Sequence, residues 1–591
     1  MAKAIYKGSL AFFNLTSCLR RTKSGIPNDP MTSTRSHNAL AIATVTAMSV
    51  AAIAAGGEPF VFRDVVGDVG LREPLRGMMG HAAAWGDVNG DGWIDLFVGT
   101  FADRPAEEYV AGGAAGAVPN QLLLNHDGRF VRSDQPALAW KGRASGSVFA
   151  DFDNDGGLDL YVSNNGRLGH QNRLYRNRGG GRFEDVTERS GAPLERPETS
   201  RSATVLDFDG DGLLDLLVLG TVNRDKTLLF RNRGGMKFEI TDAIPADATG
   251  LGLACADITG NGWPDVLIGG PNRLFVNLGD GRFREAPEAG LQVPFTREDD
   301  ASSCGVPFGD IDRDGDPDLL IGAHHKRPWS EPNPIRLFLN LGSTPDRVRF
   351  REVTREAGIA NYPMKVPHVE IRDFNNDGWP DLYTAVVTFK GGRTHPAIYK
   401  NLGELRGGVP QFAETAFVHR PEFPTDDDYH PGMKSGEFYD RLVAARKVAY
   451  FAAAPSGDFD NDGRLDLFLG SWWPKLPSLL LRNETPSGNY LDVIVVGKGR
   501  VNRMGIGTTV RAYRSGRAGD PAALLAAEEI ATAYGFCSAQ PGVAHLGLAS
   551  ETACDLVVTL PHGAGTIRRP NIQANQSVSV SVGAPARDAE Q

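Results

Sequence analysis

Asp151-Phe152-Asp153-Asn154-Asp155-Gly156-Gly157-Leu158-Asp159 is the stretch that decides how the chain is read. It places side-chain carboxylates at positions 1, 3, 5 and 9 of a nine-residue loop, with glycine at position 6 to permit a sharp turn. The flanking segments, Ser147 to Ala150 and Leu160 to Val162, are short, apolar and β-rich, so the loop joins two strands. A helical calcium hand would need amphipathic segments of 3.6-residue period on both sides, and these are missing.

The pattern D-x-[DN]-x-D-G-x-x-D begins at Asp87, Asp151, Asp207, Asp310, Asp373 and Asp458, with a degenerate copy at Asp257. Successive starts differ by 64, 56, 50, 53, 63 and 85 residues, too long for a β-helix coil and right for a small sheet per unit. A second signature follows the loops: Leu122 to Asn125, Leu174 to Asn177, the run ending at Asn232, Leu274 to Asn277 and Leu337 to Asn340. Glycine-rich turns and a phenylalanine come next, as in Gly179 to Phe183 and Gly279 to Phe283, which reads as a hairpin of strands three and four. Four strands per unit make a propeller blade.

The seventh unit has Leu479 to Asn483 but no phenylalanine strand after it, and the start of the chain supplies one. Phe62-Arg63-Asp64-Val65, with Gly70-Leu71, matches Phe183-Glu184-Asp185-Val186 and Phe350-Arg351-Glu352-Val353. The expected fold is therefore all-β: a seven-bladed β-propeller over residues 59–485, its last blade closed by residues 59–66. A long insertion over 413–455 separates blades six and seven, a small β-sandwich-like domain covers 489–583, and 584–591 form a disordered tail.

Hard oxygen donors without histidine or cysteine select calcium over transition metals. The expected ligands, with the backbone carbonyl at position 7, are Asp87, Asn89, Asp91, Trp93 and Asp95 in the first loop, then Asp151, Asp153, Asp155, Gly157 and Asp159. The third loop offers Asp207, Asp209, Asp211, Leu213 and Asp215, and the degenerate fourth only Asp257, Thr259, Asn261 and Asp265. Asp310, Asp312, Asp314, Asp316 and Asp318 follow, then Asp373, Asn375, Asp377, Trp379 and Asp381, and finally Asp458, Asp460, Asp462, Arg464 and Asp466. Asp-Gly hairpin turns would account for one or two acids per loop, not four. Twenty-four of the 28 side-chain positions are aspartate, a crowding that a cation relieves, so six to seven Ca2+ ions are expected as structural staples.

The formal charge of −10 over 591 residues, with no run of Lys/Arg, excludes nucleic acid and an anionic membrane face as expected partners. Residues 39–55 form an apolar run after Arg35 and His37 that ends in small residues, the layout of a secretory signal. A start at Met31 would give that signal, within an export region of 1–55, an ordinary length. No membrane insertion is expected after cleavage, and the product is expected to be secreted, periplasmic or on the cell surface. Residues 1–54 carry six Lys/Arg and one acid, so the remainder is near −15, and seven dications would bring it near −1. Of the five cysteines, Cys255 with Cys304 and Cys537 with Cys554 are open to two local disulfides or four buried thiols.

The loops and the L-[YF]-x-N-x-G-x-G-x-F hairpins resemble the FG-GAP/VCBS repeats of integrin α-subunit propellers. Residues 489–583 resemble the ASPIC/UnbV domain through Asn489-Tyr490-Leu491, Gly505 to Val510, Tyr534-Gly535-Phe536, His545 to Leu548 and Asn575-Gln576. Together they are similar to the cartilage acidic protein group and its bacterial relatives, which implies an extracellular interaction module. Cys537 and Ala539 to Ala544 depart from the family's more polar stretch there.

Strand parity puts the longer connections on the face opposite the aspartate loops, the usual place for recognition. They hold Phe101 to Pro119, His324, His325, Trp329, Trp472, Trp473 and the run Asp426, Asp427, Asp428, Tyr429, His430. Trp472 and Trp473 read first as packing and second as a sugar platform, the histidines as solvated loop residues, and the acidic run as a solvated face. The function expected is a binding, adhesion or scaffold module for an extracellular protein or glycan. The alternative is a secreted polysaccharide hydrolase or lyase working from that face, for which no G-x-S-x-G, H-E-x-x-H or Walker motif appears.

Overall fold

The computed structural model describes residues 60–583 apart from 166–169, 192–199, 222–225, 294–301, 325–334, 360–365, 387–396, 415–440, 442–444, 446 and 448. The expected export region, the 584–591 tail, His325, Trp329, the Asp426 to His430 run and most of the 413–455 insertion lie outside the described residues.

The chain is all-β and repeats one four-stranded antiparallel sheet. The second sheet is typical: Ala144–Ala150, Asp159–Asn164, Arg173–Asn177 and Phe183–Asp185 pair in sequence order. Its first two strands are buried throughout because each sheet is covered on both faces by its neighbours. Among the described residues seven sheets carry this plan, their first strands beginning at Gly80, Ala144, Ser200, Gly252, Phe308, His368 and Phe451. The outer strand of the last sheet is Phe62–Asp64, with Phe62 opposite Asn483 and Asp64 opposite Leu481. Trp85 and Leu96 of the first sheet share one apolar cluster with Phe468 and Leu480 of the last, so the row of sheets returns on itself. This is a β-propeller.

A second device closes the ring. In every sheet an asparagine of strand three donates its Nδ2 to the carbonyl at loop position 2 of the preceding sheet. Asn177 reaches Val88 at 2.7 Å, Asn232 reaches Phe152 at 2.7 Å and Asn277 reaches Phe208 at 2.9 Å. Asn340 to Ile258, Asn401 to Ile311 and Asn483 to Phe374 continue the series at 3.0, 3.1 and 2.9 Å. Asn125 completes it on Phe459 of the last sheet at 2.8 Å. These carbonyls are buried, so each bond removes an otherwise unsatisfied acceptor as well as joining two sheets.

The C-terminal residues form two facing sheets. One has the order Ala544–Ala549, Asn489–Val496, Gln576–Ser581, and the other Leu524–Glu529, Thr509–Arg514, Ala553–Leu560, Gly565–Gln573. Leu491, Val493, Leu546, Val510, Leu556 and Val558 fill the space between them. This sandwich sits on the aspartate-loop end of the propeller: Arg503 N donates to Asn154 Oδ1 at 3.0 Å, and His545 Nε2 lies 2.9 Å from Asn376 Oδ1. From it a segment runs into the ring. Tyr534–Gly535 pairs with Leu253 and Ala254 of the fourth sheet, and Ser538–Ala539 pairs in parallel with Ala83 and Ala84 of the first. Gly535, at φ 130°, passes so close to the fifth sheet that an added Cβ would meet Val306 N at 2.7 Å. Gln540 Nε2 donates to the buried Glu370 of the sixth sheet at 2.6 Å, so the segment touches the inner strands of several blades. The Cys537 thiol is carried into the ring by this segment while Cys554 stays in the sandwich, and among the described residues Cys255, Cys304, Cys537 and Cys554 form no disulfide. The two-disulfide alternative is thereby corrected.

Candidate metal centres

Each aspartate loop folds by the same local bonds. The position-1 carboxylate accepts backbone N–H groups from the turn it precedes: Asp87 takes Gly90 N at 2.8 Å, Asp91 N at 3.1 Å and Gly92 N at 2.9 Å. Position 5 accepts the N–H of position 7, as in Asp91 to Trp93, Asp155 to Gly157, Asp211 to Leu213, Asp314 to Asp316, Asp377 to Trp379 and Asp462 to Arg464, all at 2.9–3.0 Å. Position 4 needs a positive φ, met by Gly90 and by Asn154, Asn376 and Asn461 at 54–56°, and at the fifth loop by Arg313 at 64°.

Position 9 has a role that side-chain chemistry alone does not reveal. In all seven loops one oxygen accepts the backbone N–H of the bridging asparagine at 2.7–2.9 Å. The other accepts the N–H of loop position 2 at 3.0–3.2 Å. Asp95, Asp159, Asp215, Asp265, Asp318, Asp381 and Asp466 thus tie each loop to strand three, next to the bond that crosses to the neighbouring blade.

Carboxylate oxygens from positions 1, 3 and 9 converge within 4.8 Å in four loops: Asp151, Asp153, Asp159; Asp207, Asp209, Asp215; Asp310, Asp312, Asp318; and Asp458, Asp460, Asp466. These clusters could hold metal ions. Several of their oxygens are buried with no hydrogen-bond donor, namely Asp153 Oδ1, Asp209 Oδ1, Asp310 Oδ1 and Asp460 Oδ1. A buried carboxylate oxygen without a donor is costly, and a cation at the centre of the loop removes that cost. In the first and sixth loops position 3 is Asn89 or Asn375, whose Nδ2 donates to Asp91 or Asp377 at 2.9 Å. Asn375 Oδ1 is left buried and unpartnered. The fourth loop fits an ion worst: it keeps only Asp257 and Asp265, Thr259 replaces an acid, and the Asn261 amide donates outward to Asn277 O at 2.9 Å.

Without a counter-ion these carboxylates resist ionisation. Burial first, and then neighbouring aspartates, pushes Asp95, Asp207, Asp310, Asp373 and Asp458 up to about 7 and Asp159 to about 8. In three loops an arginine from the position before the bridging asparagine supplies part of the missing charge. Arg176 lies 2.6 Å from Asp153 and 3.2 Å from Asp155, Arg231 2.5 Å from Asp209, and Arg482 2.9 Å from Asp460. The same position is Lys400 in the sixth sheet and Leu124, Val276 and Leu339 in the first, fourth and fifth.

Comparison with known families places this repeat. Residues 87–162, 158–218, 207–268 and 269–321 match the FG-GAP-like repeat, and residues 497–587 match ASPIC and UnbV. The chain is an FG-GAP-repeat protein with a C-terminal ASPIC and UnbV domain. The repeat match stops at 321, yet the loops at Asp373 and Asp458 carry the same position-9 bonds as the matched ones. Among characterised proteins it is similar to cartilage acidic protein 1 of Xenopus tropicalis, 26% identical over 452 residues, covering 72% of this chain and 62% of that protein. The Homo sapiens protein of that name is 25% identical over 453 residues, covering 72% and 60%. The chain therefore spans about 60% of the length of these relatives. Solved structures that resemble the fold include YCF48 from Cyanidioschyzon merolae, with a TM-score of 0.35, 10% identity and coverage of 69% and 96%. The periplasmic gluconolactonase of Pseudomonas aeruginosa gives 0.34, 16%, 56% and 85%. Scores this low add nothing to the topology already described.

Two features of this FG-GAP protein escape a reading of the loops alone. The strand-three asparagine shows in sequence as a hairpin marker, but its partner lies in another blade. The apolar segment from Cys537 onward shows only as a departure from its family, and in the fold it enters the ring. Among the described residues no helix is long and apolar enough to cross a membrane.

Proposed function

We propose that this protein is an exported, calcium-loaded seven-bladed propeller that serves as an extracellular binding, adhesion or scaffold module, with the ions structural. The observation that carries the reading is the set of buried, donor-less carboxylate oxygens at Asp153, Asp209, Asp310 and Asp460, each inside an all-oxygen cluster. Oxygen-only donors in a nine-residue loop suit calcium better than magnesium, which demands a tighter octahedron and keeps its waters. Each ion would neutralise a crowded loop and stabilise the folded state by mass action. Positions 1, 3, 5 and 9 would hold the ion with the carbonyl at position 7, in up to six loops and, least favourably, in the Asp257 loop. The similarity to cartilage acidic protein 1 supports an extracellular module, with a protein or glycan as partner.

The test is metal content and melting on one sample. Elemental analysis of the chain purified in calcium should give several ions per molecule, and excess EDTA should lower the melting temperature by many degrees. A preparation with no bound calcium, or a melting temperature indifferent to EDTA, overturns the reading.

A further inference from the structure

At the end of the ring away from the aspartate loops, several first strands begin around His81. Its ring stacks on Phe101 with centroids 4.3 Å apart and planes 15° apart, and the Trp472 ring lies 4.5 Å away. The inserted C-terminal segment ends against the same imidazole. Cys537 Sγ is 3.5 Å from His81 Nδ1, and the Phe536 ring is 6.0 Å from the His81 ring. His81, Phe101, Phe536 and Cys537 are all buried, so they form a floor laid partly by the propeller and partly by the C-terminal domain. Trp472, only half-buried, stands beside that floor with Tyr450 5.8 Å behind it.

The charge over this floor is positive. Arg201 Nη1 lies 3.5 Å from His81 Nε2, and the Arg143 guanidinium sits 4.4 Å from the Phe101 ring centre. Arg143 is paired with Asp103. Arg201 has no carboxylate within ion-pair distance among the described residues, and its Nε is buried without a partner. Burial, followed by the Arg201, Arg143 and His324 charges, drives His81 well below its ordinary value, so the imidazole is neutral. A half-buried guanidinium facing a neutral ring, in a chain of net charge −10, is a local reversal of the protein's field.

We propose that this floor is a binding site for an acidic saccharide, with Arg201 taking the carboxylate and the partly buried Trp472 indole stacking on the sugar ring. The inference rests on the binding-module reading above and names the chemistry of its partner. A guanidinium offers two parallel N–H donors that match a carboxylate, and an indole face suits the C–H face of a pyranose. Because Phe536 and Cys537 complete the floor, the C-terminal domain is part of the site.

The experiment is isothermal titration of the full, calcium-loaded chain with a trigalacturonate, beside its methyl ester, which has the same shape without the charge. The acid should bind and the ester at least tenfold more weakly. Arg201→Gln should lose tenfold or more, Arg201→Lys should recover part of it, and Trp472→Ala should weaken acid and ester alike. Melting in calcium shows that each variant is folded. Equal binding of acid and ester, no loss in Arg201→Gln, or no binding of the acid at all overturns the proposal. The EDTA shift on the same sample separates the two readings, since a sample that keeps the shift and ignores trigalacturonate loses only this inference.

Discussion

Replacing one asparagine of the inter-blade ring should cost far more than an ordinary polar substitution, and Asn232 shows why. Its Nδ2 donates to Phe152 O at 2.7 Å and Leu214 O at 2.9 Å, and its Oδ1 accepts Gly234 N at 2.9 Å. Asn232→Ala leaves two buried carbonyls without donors, at about 1–3 kcal/mol for each unsatisfied group, so the loss is about 4 kcal/mol. Unfolding entropy of about 2.1 cal/mol/K per residue over roughly 520 cooperative residues is about 1.1 kcal/mol/K, so the melting temperature should fall by about 4 °C. Asn232→Asp sharpens the test, because it aims an acceptor at the same two carbonyls. Its carboxyl would be pushed up in the folded state by burial and by those dipoles. The folded state would then hold a proton the unfolded chain has lost, so the variant's deficit should grow as pH rises from about 4 to 8. The alanine variant's deficit should be flat over that range. Calorimetry in saturating calcium at several pH values reads both. If Asn232→Ala melts within 1 °C of the parent, or if the Asp and Ala variants run parallel in pH, the ring is not a structural closure.

Three more expectations follow from the loops and the docked domain. In EDTA, stability should fall as pH rises from about 5 to 8, because folded carboxylates pushed to about 7 at Asp207, Asp310, Asp373 and Asp458 hold protons that the unfolded chain releases near pH 4. The gain from added calcium should therefore be largest at pH 8, and a calcium increment that does not change with pH counts against this. Arg176→Leu removes a guanidinium 2.6 Å from Asp153, so calcium should bind the second loop roughly tenfold more tightly, read by terbium luminescence; weaker binding would make Arg176 a support for the cage instead of a competitor. Gly547→Ala would place a Cβ 1.9 Å from Asp373 Oδ2 and 2.7 Å from Asn376 backbone, at a cost of about 1–3 kcal/mol. Hydrogen exchange should then rise in the 534–540 segment, and unchanged protection there would show that the sandwich does not depend on this contact.

How much of this could be read from sequence depends on whether a feature's cause is local. The aspartate spacing, the glycine at position 6 and the hairpin after each loop are local, so strand order and loop placement are legible from nine-residue windows. The chain-start strand at Phe62–Asp64 was legible because it repeats a motif seen elsewhere in the chain, and pairing with Leu481 to Asn483 follows from that likeness. The asparagine ring was not legible as a bond network. Asn232 and Phe152 are separated by 80 residues, and nothing in L-x-R-N says whether its amide turns inward to its own hairpin or outward to the preceding blade. The same limit applies to position 9, which looks like one more ligand among four. Only the fold shows that both its oxygens also accept backbone N–H groups.

The position-9 geometry would link a bound ion to the ring. Each position-9 aspartate fixes the backbone N–H of the residue whose side chain crosses to the preceding blade: Asp159 accepts Asn177 N at 2.8 Å, and Asn177 Nδ2 in turn donates to Val88 O at 2.7 Å. An ion held by positions 1, 3 and 9 would therefore stiffen the inter-blade bond through one shared residue. The sandwich extends the chain of contacts, since His545 bonds the sixth loop at Asn376 while Gln540, a few residues before it, bonds Glu370 inside the ring. Loops, ring and inserted segment thus form one connected set of buried polar bonds. Ordering any part lowers the entropy cost of ordering the rest. Metal removal should for that reason loosen the 534–540 segment, well inside the ring, along with the loops that lose their ions.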